Sequence, residues 1–227
     1  MKFSISLGVL GLWGVAASAI PAAASTINLN TGNGSDPYTI TADSLSPNEG
    51  TTVYLATQGG THWVNDLSSE WIAPQANESN AATVDVADTG SVTYDTTFLL
   101  SPGFANATLN LTFLADDWAT ISLNNHTLYS GPTTADIRSW LSDNVLAPMN
   151  VESDLVSGLN TLQFVVYNTG GGTNVGGGTD AGGGPTGLNA QVSLSYSSAA
   201  VPEPSSALPL AGAVLLGGFF LRRRRAA

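Results

Sequence analysis

The side chains able to do covalent or metal chemistry are few: two histidines, His62 and His126, and no cysteine. Chemistry that needs thiols, from zinc fingers to cysteine nucleophiles, is therefore excluded. A zinc site needs at least three good ligands, and the histidines stand 64 residues apart with no His-x-x-x-His spacing. No Gly-x-Ser-x-Gly elbow offers an activated serine. A two-carboxylate glycoside hydrolase stays formally open, because separation across a cleft is invisible in a sequence. The inventory as a whole reads as that of a protein that is not an enzyme.

Carbohydrate binding asks for less: an aromatic face for the C–H surface of a sugar, with Asp, Asn or Gln for its hydroxyls. His62, Trp63, Asn65 and Asp66 form the best local cluster of that kind, in an expected loop. Trp71 and Trp118 read as core residues, and Trp140 as packing for a short helix over residues 134–141. Asp116 and Asp117 are candidates for a structural Ca2+, although calcium takes six to eight oxygens from several loops. The alternative is that Asp116 satisfies turn amides and Asp117 is solvated. No other cofactor is expected.

The elements that must position these groups are strands. Apolar and polar residues alternate with period two, as in Val92, Tyr94, Thr96 and Phe98, and again in Leu109, Leu111 and Phe113. Ile121, Leu123 and Leu128 flank Asn124-Asn125, a pair that tolerates positive φ and turns a tight hairpin. Residues 162–167 are rich in β-formers and predict a central strand, and residues 190–196 alternate and close the domain. Gly, Pro, Asn and Ser at the joints predict an all-β fold, a single jelly-roll-type sandwich over residues 25–198. Ten glycines in residues 170–187 predict a flexible surface loop within it.

The charge is acidic and unevenly placed. The 227 residues carry 17 acidic and 6 basic side chains, but residues 25–200 hold 16 acidic groups against Arg138 alone, a formal charge of −15. Nucleic acid is excluded as a partner, since phosphate binding needs Lys and Arg to displace counterions. The same repulsion disfavours anionic lipid surfaces and polyuronates.

Both ends are hydrophobic. Lys2, the apolar residues 3–20 and the small residues Ala22-Ala23-Ala24 predict a signal peptide helix over residues 1–24, cut after Ala24. Its expected partners are the Sec translocon and signal peptidase. At the other end come Pro202-Glu203-Pro204, an apolar run over residues 207–221, and Arg222, Arg223, Arg224 and Arg225 as a cytoplasmic stop. Those 15 apolar residues make a helix of about 22 Å against roughly 30 Å of hydrocarbon, a short span suited to a transient address.

Residues 199–227 resemble a PEP-CTERM sorting signal in the order of all three parts. The resemblance implies recognition by exosortase and transient anchoring in the inner membrane by the C-terminal helix alone. Delivery to the cell surface or extracellular matrix of a Gram-negative bacterium that makes exopolysaccharide, the setting of biofilms, would follow. The blocks Ser69-Glu70-Trp71-Ile72-Ala73-Pro74, 92–99, 114–125 and 155–167 resemble galactose-binding-like β-sandwich modules found among such proteins. Gly158-Leu159-Asn160-Thr161-Leu162 supplies a late turn of that pattern, and Asn125 stands where its turn has glycine. These residues imply a framework rather than a ligand site. The expected function is noncovalent binding of neutral polysaccharide by an exported protein. The alternative is a structural surface or matrix protein without a discrete pocket.

Overall fold

The structure is a computed structural model that describes residues 23–32, 37–45, 51–56, 63–64, 67–76, 89–131, 143–168 and 186–198. The expected signal peptide helix, the short helix over 134–141, Trp140, and the sorting segment from residue 199 onward lie outside the described residues.

Eleven strands are described: β1 (Ala23–Asn28), β2 (Tyr38–Asp43), β3 (Tyr54–Leu55), β4 (Ile72–Ala73), β5 (Gly90–Leu100), β6 (Phe104–Asp116), β7 (Trp118–Leu123), β8 (His126–Ser130), β9 (Asn144–Asn150), β10 (Gly158–Asn168) and β11 (Gly187–Ser198). They form two antiparallel sheets. The first runs β3-β4-β11-β6-β9, with β1 also paired to β11, and the second runs β2-β5-β10-β7-β8. Among the described residues the only helical element is the 3-10 turn Glu152–Asp154. The all-β sandwich expected from the alternation is thus the fold observed.

Period-two alternation in the long strands sends one row of each sheet inward. Val92, Tyr94, Leu109, Leu111, Phe113, Ile121, Leu162, Phe164, Val192 and Leu194 are all buried in one core. Phe113 and Phe164 meet edge to face across the two sheets, with ring centroids 6.5 Å apart. Each such fully buried side chain stabilises the fold by roughly 1.5–3 kcal/mol through apolar area removed from water.

Two local devices set the register. Asn124 and Asn125 turn the β7–β8 hairpin with φ of 48° and 68°, the left-handed values a two-residue turn of this kind requires. Asn160 at the start of β10 is fully buried, and all its amide capacity is used. Its Nδ2 donates to the carbonyls of Val156 (2.8 Å) and Gly158 (3.0 Å), while its Oδ1 accepts from Val156 N and Asn124 Nδ2, both at 2.8 Å. The framework role implied for the Gly158–Leu162 turn rests on this network.

One boundary differs from the sequence reading. β11 begins at Gly187, so the last glycine of the expected 170–187 loop is already in the sheet. A Cβ at Gly187 would come within 2.6 Å of Trp63 Cη2, and glycine is what lets strand and indole approach. Residues 169–185 lie outside the described residues. β1 begins at Ala23, so a cut after Ala24 falls inside that strand and leaves Ser25 to Asn28 of it.

Candidate functional site

The chain passes from β6 in one sheet to β7 in the other through Asp116 and Asp117, and the tryptophans on either side have different fates. Asp116 is buried, and its Oδ2 accepts a hydrogen bond from Trp63 Nε1 at 2.7 Å. Trp63 is 4% exposed and Trp71 2%. Their rings stack with centroids 4.2 Å apart and an angle of 19°, and Leu114 lies beneath them. Trp71 Nε1 donates to the Val64 carbonyl at 2.9 Å. The pair seals the outer face of the first sheet as a small second core.

Trp63, the aromatic of the candidate sugar cluster, is therefore not available as an exposed platform. Its face is taken by Trp71, its polar edge by Asp116, and its rim by Gly187, so the indole is interior. The other members of that cluster, His62, Asn65 and Asp66, lie outside the described residues. Trp71 is core, as its place in the sequence indicated.

Trp118 is where the sequence reading missed. It is half-buried, not core, and lies on the outer face of the second sheet. Its opposite number in the β7–β10 register is Tyr167, and the two rings stack with centroids 3.9 Å apart and only 11° between their planes. The Asp117 amide donates to the Tyr167 carbonyl at 2.7 Å, which holds Trp118 in that register. Gly131 closes the arrangement from the far side, since a Cβ there would stand 2.8 Å from Trp118 Cε3. The signal available in the sequence was phase: Ala119, Ile121 and Leu123 are the inward row of β7, so Trp118 belongs to the outward one.

Around the stack the outward row is mostly polar. Ser122 and Asp95 flank Gln163 in register, and Gln163 Nε2 donates to Asp95 Oδ1 at 2.9 Å. Thr93 and Thr120 flank Val165 one step closer to the rings. The face therefore carries two half-buried, mutually stacked aromatic rings beside amide, hydroxyl and carboxylate groups.

The candidate calcium donors Asp116 and Asp117 stand at the passage from β6 to β7. Asp116 is committed to Trp63, and among the described residues no group of three or more His, Asp or Glu side chains could hold a metal ion. His126 is exposed at the β7–β8 turn, with Nδ1 3.7 Å from an Asp154 carboxylate oxygen. His62, its only fellow imidazole, is not among the described residues.

Comparison with known proteins adds one assignment. Residues 200–225 match the PEP-CTERM protein-sorting motif. The chain thus carries the sorting motif of an exported protein handled by exosortase, with a C-terminal membrane anchor before processing. No curated protein matches the chain. Among solved structures, CBM35 from Paenibacillus barcinonensis is similar at 15% identity over 73% of this chain and 97% of that one, with a TM-score of 0.26. A likeness at that level says nothing about ligand or site.

Proposed function

We propose that the exported domain binds neutral polysaccharide noncovalently, without catalysis, at the surface or in the extracellular matrix of a Gram-negative bacterium. The observation that supports this is the Trp118–Tyr167 stack, two aromatic rings presented together on the outer face of a sheet instead of being spent on the core. Aromatic faces bind the C–H surface of a sugar ring, and the neighbouring Gln163 amide and Thr93 hydroxyl supply donors and acceptors for its hydroxyls. A net charge of −11 favours neutral glycans over uronates. Exosortase, with the Sec translocon and signal peptidase before it, is the processing partner in this reading.

The test is retention of the full chain, purified in detergent, on immobilised β-glucan, mannan and alginate. Retention on a neutral polymer, lost in Trp118→Ala and absent on alginate, supports the proposal. Failure to be retained on any neutral polymer, including the host's own matrix, overturns it.

A further inference from the structure

The Trp118–Tyr167 stack occupies one end of a longer track. β5 and β10 pair in register over their whole length, and every second residue of each faces outward. Eight residues along β10 from Tyr167, the same outward row reaches Leu159, which is directly opposite Leu99. Leu159 is 61% exposed and Leu99 70%, and they form the second-to-last pair at the far end of the β5–β10 ladder, an outward position where a polar residue would solvate better. The strand rise places this leucine pair about 27 Å from the aromatic pair. Between them lies the Gln163–Asp95 hydrogen bond. The pattern along the face is apolar, polar, apolar, on one continuous strand pair.

A linear neutral glycan presents both kinds of surface along its whole length, C–H faces that seek apolar groups and hydroxyls that seek amide and carboxylate partners. A ligand recognised only by its terminal sugar would need neither the second apolar pair nor the distance. Resting on the reading of the aromatic stack as a sugar platform, we infer that the ligand is an internal stretch of linear neutral polysaccharide, several residues long, lying along β10 from Trp118 and Tyr167 to Leu99 and Leu159. The leucines extend the contact and the aromatics anchor it.

The experiment is calorimetric titration of the full chain in detergent with β-1,4-linked glucose and mannose oligomers, from disaccharide to octasaccharide. Affinity is expected to rise roughly tenfold or more between the short and long oligomers of the bound series, from the added apolar contact. The double variant Leu99→Thr, Leu159→Thr should bind the disaccharide like the parent and lose that rise. Both leucines are exposed and threonine is a good strand former, so the fold is not at risk. Affinity independent of length, or a double variant that keeps the full rise, overturns the extended track while leaving the platform standing. Sugar-independent dimerisation abolished by the double variant assigns the leucines to self-association and also overturns it. No binding of any oligomer, together with no retention on polymer, overturns the platform and the track together.

Discussion

The backbone amide of Asp117 donates to the carbonyl oxygen of Tyr167 at 2.7 Å, and one residue later the indole of Trp118 lies flat on the Tyr167 ring. The chain uses the passage between its two sheets to set an aromatic pair on the outside of the second. Because the bond is made by backbone, the register of the pair survives changes of side chain, and the stack itself can be probed separately from the fold.

Trp63 and Trp118 should therefore respond in opposite ways. Trp118→Ala removes an outward ring and is expected to abolish glycan retention at a stability cost of about 1 kcal/mol. Trp63→Ala empties an interior site stacked on Trp71 and is expected to cost about 3–5 kcal/mol. The milder Trp63→Phe should unfold earlier in urea than the parent yet keep full retention below its transition. Loss of retention in folded Trp63→Phe would return Trp63 to the site.

Gly131→Ala tests the support behind Trp118. The added Cβ would meet the Ala119 carbonyl oxygen at 2.7 Å and Trp118 Cε3 at 2.8 Å, closer than Cβ atoms come to their neighbours. The backbone side of that contact cannot yield, since Gly131 N already donates to the same carbonyl at 3.0 Å, so the indole must move. The expected outcome is a loss of about 1–3 kcal/mol in stability with a weaker affinity for oligosaccharide. Tryptophan fluorescence and titration on the same sample check both parts.

Much of this architecture was legible because period-two alternation is a direct consequence of strand geometry. The inward rows of β5 and β6 are the rows read from Val92 and Leu109, the strand expected over 162–167 lies within β10, and the Asn124-Asn125 turn lies where positive φ was anticipated. What failed was the sorting of tryptophans. Trp63 looked like a loop aromatic among polar neighbours, but its burial comes from Trp71, Asp116 and Gly187, partners distant in sequence that no local pattern announces. Trp118 looked like core because it lies inside a framework block. Its outward phase follows from the inward row Ala119, Ile121 and Leu123 that comes directly after it.

Asn124 and Asn125 share a turn but are not equivalent. Asn125 is exposed with φ of 68°, so Asn125→Gly relieves an unfavourable left-handed conformation and is expected to stabilise the protein by about 0.5–1 kcal/mol. Asn124 has φ of 48°, but its side chain is bonded: Oδ1 accepts from Thr161 N at 2.9 Å, and Nδ2 donates to the Asp154 carbonyl and to Asn160 Oδ1. Asn124→Gly should therefore destabilise despite relieving the backbone, by about 1–2 kcal/mol. Urea midpoints of the two variants on opposite sides of the parent are the expected result.

Asn160→Asp carries the sharpest pH signature. In the native protein Nδ2 donates to the carbonyls of Val156 and Gly158, while Oδ1 accepts from Val156 N and Asn124 Nδ2. An ionised Asp keeps the acceptor side but turns a second, charged oxygen toward two carbonyls in a fully buried position. Burial and those carbonyls both penalise the anion, so the folded-state pKa of this Asp should lie above its unfolded value of about 3.9. The unfolded state then gives up its proton first, and as pH rises from that value the variant loses stability until it passes the folded pKa. Asn160→Asp should accordingly be closest to the parent near pH 4 and furthest from it at neutral pH. Asn160→Ala, which leaves the same partners unsatisfied without a charge, should be destabilised by about 2–4 kcal/mol relative to the parent with no such slope. Urea denaturation of both variants and the parent across pH 4 to 8 checks this, and a flat difference for the Asp variant would mean that β10 opens at its start to let water reach the carboxylate.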